Sequence, residues 1–181
     1  NNVLPLRVGN DVATINGVMG VIEILSSRRE YTKSDPFVVL LGKGDHQIRC
    51  RWMDQSCGPR TLDHRLSSRY NMLEITRSNI TFVGNGNDTT ILGRFDIENF
   101  QNITFKNMTV TNTSDEGTGM RIRNAKVELI DVVFKGCKST GLRIPNSPCA
   151  TTVVATRCEF ANSQLGAVVN GSLTSATFKN C

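Results

Sequence analysis

The stretch Asn79-Ile-Thr-Phe82 returns 23 residues later as Asn102-Ile-Thr-Phe105, and Lys126-Val-Glu-Leu129 repeats its pattern after a further 24. A second series reads Met108-Thr-Val110, Val132-Val-Phe134, Cys158-Glu-Phe160 and Ala176-Thr-Phe178. A third reads Phe95-Asp-Ile97, Met120-Arg-Ile122, Leu142-Arg-Ile144 and Ala167-Val-Val169. Gly119, Gly141 and Gly166 each stand immediately before a triplet of the third series, and Gly93 stands one residue further out. In each triplet the outer residues are apolar and the middle one varies. Strand side chains alternate between faces, so the outer two point inward and the middle one outward.

Three short strands in roughly 22 to 25 residues cannot bury an apolar face alone, but stacked turns build a continuous inner column. The pattern therefore predicts an all-β fold, a right-handed single-stranded parallel β-helix. Successive coils of such a solenoid lie about 4.8 Å apart. A Greek-key sandwich would not explain why separate series recur in the same order. The register also predicts neighbours. Outward positions of the third series stack as Asp96, Arg121, Arg143 and Val168, and next to them as Glu98, Arg123, Pro145 and Asn170. Asn99, Asn124 and Asn146 follow as a turn column suited to an amide ladder.

Working outward, residues 1–36 read as a strand and a helix. Asp11 is placed to cap a helix through Val12, Ile15, Val18, Val21 and Ile24 to about Ser27, plugging the open end of the column. Residues 37–71 hold the first strand, Phe37-Val-Val-Leu-Leu41, and a polar excursion bracketed by Cys50 and Cys57. Residues 72–181 carry the coils, as one continuous domain with 1–71 and open at the C-terminal end.

Compartment is read from three features. The six Cys lack any CxxC spacing, which argues against a metal site and for disulfides in an oxidising environment. Cys50 and Cys57 are the first guess for a local pair, with other connectivities open. Asn-X-Ser/Thr occurs at Asn79, Asn87, Asn102, Asn107, Asn112 and Asn170, against roughly three expected from composition. Abundant turn Asn and strand Thr are the alternative source of that excess. The formal charge of +5 is dispersed, which points weakly to polyanionic partners. No apolar run is long enough for a membrane span. Aromatics interleaved with Lys or Arg, as single-stranded nucleic acid would need, are missing. The expectation is a secreted or cell-surface glycoprotein.

At this point the chain resembles the pectin-lyase-like superfamily, and within it proteins with parallel β-helix repeats. The resemblance rests on Val38-Val-Leu-Leu-Gly-Lys-Gly-Asp-His-Gln-Ile48, on Ser78-Asn-Ile-Thr-Phe-Val-Gly-Asn-Gly-Asn-Asp-Thr-Thr-Ile91, and on Gly119-Met-Arg-Ile-Arg-Asn124 with Gly141-Leu-Arg-Ile-Pro-Asn146. It covers most of residues 37 to 181. It implies the β-helix fold but little about activity, since polysaccharide lyases, hydrolases, esterases, epimerases and noncatalytic surface proteins share that scaffold.

The chemistry such relatives use is only partly matched. Arg121-Ile-Arg123 is close to the Arg-Ile-Lys stretch of polygalacturonase-like sites, but no Gly-His-Gly accompanies it. Asp96 and Glu98 share one strand and offer the two carboxylates that glycoside hydrolysis needs. Arg neighbours stacked on both suit a charge ladder better than a proton donor. Neither Asp115 with Glu116, nor Glu128 with Asp131 and Glu159, forms a convincing calcium cage, which takes six to eight oxygens. His46 and His64 have no Ser or Cys partner at a recognisable spacing. The sequence thus predicts a noncatalytic structural or assembly module, or a scaffold binding acidic glycans through Arg121, Arg123 and Arg143. No cofactor is called for, and calcium at the surface is left open without being indicated. The alternative is a polysaccharide lyase, hydrolase or epimerase working through Asp96, Glu98, Arg121, Arg123 and Arg143.

Overall fold

A computed structural model describes residues 4–49, 71–115 and 117–181. The described chain is a parallel β-solenoid with one short α-helix near its N-terminal end. The proposed Cys50–Cys57 pair, His64 and Glu116 lie outside the described residues.

Three faces run the length of the stack. The first carries β1 (Leu6–Val8), β2 (Phe37–Leu41), β5 (Ile80–Val83), the leading halves of β8 (Ile103–Thr111) and β10 (Lys126–Lys135), β12 (Thr151–Thr156) and β15 (Thr174–Lys179). The second carries β3 (Gly44–Gln47), β6 (Thr89–Leu92), the trailing halves of β8 and β10, and β13 (Glu159–Ala161). The third is a separate sheet of β4 (Met72–Ile75), β7 (Arg94–Glu98), β9 (Met120–Arg123), β11 (Thr140–Ile144) and β14 (Leu165–Val169). The pairings between coils are parallel and follow the repeat register: Phe82 lies over Phe105, Met108 over Val132, and Phe95 over Met120. Because β2 and β3 already pair with β5 and β6, the stack begins at Phe37, and β1 adds a rung against β2.

Alternation explains the core. Ile80, Phe82, Phe95, Ile97, Ile103, Phe105, Met120, Ile122, Leu142 and Ile144 are all buried. Phe82 and Phe105 stack with centroids 5.1 Å apart, and Phe95 leans on Phe105 at 4.7 Å. A second aromatic column joins Phe134 to Phe160 at 5.3 Å and Phe160 to Phe178 at 5.9 Å. The glycines before the third face leave room for it. A Cβ at Gly119 would stand 3.2 Å from the Phe134 ring, and one at Gly166 would stand 3.1 Å from Phe160 Cβ.

The corners are made by left-handed residues. Asn79 (φ 62°) and Asn102 (φ 57°) open the first face, while Asn107 (φ 55°) and Asp131 (φ 53°) bend β8 and β10 from the first face to the second. Asn99 (φ 68°) and Asn124 (φ 45°) close the third. Asn and Asp tolerate this conformation better than other residues with a Cβ. The amides also bond along the axis: Asn102 Nδ2 donates to Asn79 Oδ1 at 2.9 Å, and Asn124 Nδ2 to Asn99 Oδ1 at 2.6 Å.

Two expectations are corrected. Ala176-Thr-Phe178 does not continue the second series. It pairs with Val153-Val-Ala155 of β12 on the first face. Ala176 lies 18 residues after Cys158, too few for a complete coil. The helix is also shorter at its start. α1 spans Val18–Ser26 with Gly17 at its N-cap, preceded by a 3₁₀ turn at Ile15–Gly17. Asp11 instead turns back to accept the Arg7 N–H at 2.7 Å. Val18, Met19 and Ile22 still join the apolar cluster that includes β1 and β2, as a cap would require. Arg77 holds α1 from outside by pairing with Glu23 through two hydrogen bonds, which lowers the Glu23 carboxyl below its ordinary pKa.

Candidate functional site

The outward side of the third face collects the residues singled out from sequence. Strand alternation puts Arg94, Asp96 and Glu98 on the same side of β7, and parallel register sets Arg121 of β9 beside Asp96 and Arg123 beside Glu98. One nitrogen, Arg121 Nη1, lies 3.0 and 3.4 Å from the two Asp96 oxygens and 3.5 Å from Glu98 Oε2. Arg123 Nη1 reaches Glu98 Oε1 at 3.0 Å. Arg94 Nη2 approaches Asp96 Oδ2 at 3.7 Å and Met72 Sδ at 3.0 Å. Asp96 is buried beneath these cations, with its side chain only 10% exposed. Such a pair gains more from Coulomb attraction than one in open water, and is harder to break.

The structure therefore brings Asp96, Glu98, Arg121 and Arg123 together as a lattice across two coils. Both Asp96 oxygens already accept from Arg121, an arrangement that holds strands in register. Arg143 of β11 stacks directly on Arg121, is exposed, and takes part in none of the ion pairs among the described residues. On this face it is the guanidinium that lies outside those ion pairs.

The other acidic residues are dispersed. Asp131 takes two hydrogen bonds of 2.7 Å from Arg157 on the next coil, and these hold its carboxyl below the ordinary range. Asp115 is paired with Lys138 in the same way. Among the described residues no three His, Cys, Asp or Glu side chains are grouped to hold a metal ion. His46 Nε2 is 2.8 Å from the Gly42 carbonyl oxygen, a local turn contact.

The six sequon asparagines divide by environment. Asn87, Asn107 and Asn170 are exposed, and Asn79 and Asn102 are half-buried in corner bonds. Asn112 is 4% exposed. Its Nδ2 donates to the Thr118 carbonyl at 2.8 Å, and its Oδ1 accepts from Asn71 Nδ2 at 2.8 Å. Asn79, Asn102 and Asn107 are left-handed corners, and their position just ahead of the alternating triplets Ile80-Thr-Phe82, Ile103-Thr-Phe105 and Met108-Thr-Val110 carries the signal for that role in the sequence.

Four cysteines fall among the described residues, and all are thiols: Cys137 and Cys158 are buried, Cys149 and Cys181 exposed. Burial raises the Cys137 thiol pKa and pushes that of Cys158 up to about 11. A small pocket at the other end of the molecule is lined by Leu4, Pro5, Tyr31, Asp35 and Phe37, away from the ion-pair lattice.

The geometry defines a class, a parallel β-solenoid with a charge-paired outer face. No protein-family model, curated protein or solved structure matches the chain.

Proposed function

We propose that the chain is a noncatalytic extracellular β-helix module of the pectin-lyase-like type, a rigid scaffold that presents its third face to acidic glycans. The observation that carries this reading is the lattice of Asp96, Glu98, Arg121 and Arg123. The carboxylates that cleavage would need are engaged as structural ties, while Arg143 stands free of them. A guanidinium suits a uronate carboxylate because its planar fork donates two parallel hydrogen bonds. Incubation with polygalacturonate and with alginate, with and without calcium, is expected to yield neither new reducing ends nor unsaturated products. Either product would overturn the noncatalytic reading in favour of the lyase or hydrolase alternative. In a pull-down with the same polymers, Arg143→Ala is expected to weaken retention several-fold and to lower its salt sensitivity. Retention equal to the wild type would remove Arg143 from the binding face.

Passage through a secretory pathway would bring glycosylation, and the fold sets where it is tolerated. In protein made by a eukaryotic secretory host, glycopeptide mapping is expected to find carbohydrate at one or more of Asn87, Asn107 and Asn170. It is expected to find none at Asn112, whose buried amide leaves no space for a sugar. An intact mass equal to the bare chain would dismiss the glycoprotein reading.

A further inference from the structure

We propose that Cys158 and Cys181 are a cross-linking site, at which a disulfide staples one coil to the next. The juxtaposition follows from register. Thr156 pairs with Lys179 in the β12–β15 ladder, and Arg157 N–H donates to the Lys179 carbonyl at 2.8 Å. Two residues further on, the same register sets Cys181 over Cys158, and Cys181 Sγ lies 3.4 Å from the Cys158 backbone nitrogen. Neighbouring parallel strands run about 4.8 Å apart, within the Cα separations of roughly 4.4–6.8 Å that a disulfide spans. Cys158 is buried just ahead of β13, and Cys181 is exposed, with its sulfur also near the Ala155 and Lys179 carbonyls. The two thiols are close enough that the Cys181 side chain helps raise the pKa of Cys158, after burial as the main cause. Among the described residues, neither Cys137 nor Cys149 hydrogen-bonds to another cysteine.

The difference in exposure fixes the order of events when the oxidant is a small-molecule disulfide such as oxidised glutathione. The exposed Cys181 thiolate attacks one glutathione sulfur, the glutathione S–S bond breaks, and one glutathione leaves as thiolate. Cys158 then gives its proton to solvent and attacks Cys181 Sγ, and the second glutathione departs. Two protein thiols are oxidised and one glutathione disulfide is reduced to two thiols. The second step draws on the scarce thiolate of Cys158. Its rate is therefore expected to rise about tenfold per pH unit well below pH 11.

The test equilibrates the native chain with oxidised glutathione, blocks free thiols with iodoacetamide, and maps tryptic peptides without reduction. Trypsin cuts after Arg157 and after Lys179, with no Lys or Arg between, so the site appears as peptide Cys158–Lys179 joined to the peptide beginning at Asn180. The expected result is that joined pair, preceded by a transient glutathione adduct on Cys181. Cys158→Ser is expected to retain glutathione on Cys181, and Cys181→Ser to leave Cys158 as a slowly alkylated thiol. Three results would overturn the proposal: both cysteines recovered alkylated, a lasting adduct on Cys181 in the wild-type chain, or either cysteine joined to another.

Discussion

Phe105→Ala is expected to lower the free energy of unfolding by about 3–5 kcal/mol. Phe105 is fully buried in β8, stacked nearly parallel on Phe82 of the coil before it and tilted against Phe95. Removing the ring deletes contacts to two strands of the preceding coil at once and opens a void between strands whose backbone bonds resist collapse. Aromatic pairs of this kind add about 0.5–1.5 kcal/mol beyond the area they bury, so the cost should fall toward the upper part of that range. Phe105→Leu, which keeps most of the volume, is expected to cost less. Urea unfolding followed by far-ultraviolet circular dichroism measures both, and a loss below about 1 kcal/mol for the alanine variant would show that the column is not the main source of stability.

Gly141→Ala is the second large effect, and it arises from adding a methyl group. An alanine Cβ there would sit 2.7 Å from the Gly166 carbonyl oxygen and 2.9 Å from Phe134 Cβ. The first is backbone in the next coil and the second belongs to a buried ring, so neither can move aside cheaply. Overpacking of this kind costs about 1–3 kcal/mol. Gly42→Ala is the matched control. Its Cβ would meet nothing nearer than the Val8 carbonyl at 4.0 Å, and a change within about 0.5 kcal/mol is expected. Equal losses at the two positions would mean that helix and strand propensities, rather than crowding behind the Phe134–Phe160 stack, set the cost.

The glycine column also shows what could be read from the residues alone. Gly119, Gly141 and Gly166 stand out as a repeat in the residues while the crowding that requires them does not, because periodicity survives in one dimension and contact does not. Face assignment followed directly from alternation, and the ladder of Asp96 on Arg121 and Glu98 on Arg123 followed from it. The apolar pattern of Ala176-Thr-Phe178 fits either column, and only the ladder with Val153–Ala155 decides its face. Asp11 has the chemistry of a helix cap, but backbone closer to it, at Arg7, takes the carboxylate. Asn102 is a sequon and a corner together: the left-handed turn calls for Asn, the next residue points inward, and the outward place after it is filled by Thr. Part of the sequon excess is thus a product of the coil, which a count of motifs alone could not separate from a glycosylation signal. The place of Arg143 between Arg121 and Val168 follows from the same register, whereas the sharing of one Arg121 nitrogen between Asp96 and Glu98 does not, because it depends on side-chain rotamers.

The direction of the backbone hydrogen bonds has a mechanical meaning. They run between coils, along the axis of the stack. A pull along that axis loads each inter-coil ladder in series, so coils peel away one at a time from whichever interface is weakest. A pull along the strands would load many bonds together in shear. The cross-coil ties at Asp96–Arg121, Glu98–Arg123 and Asp131–Arg157 cross the interfaces that axial tension would open. A stack tied in this way is therefore expected to yield stepwise under axial tension, one coil at a time.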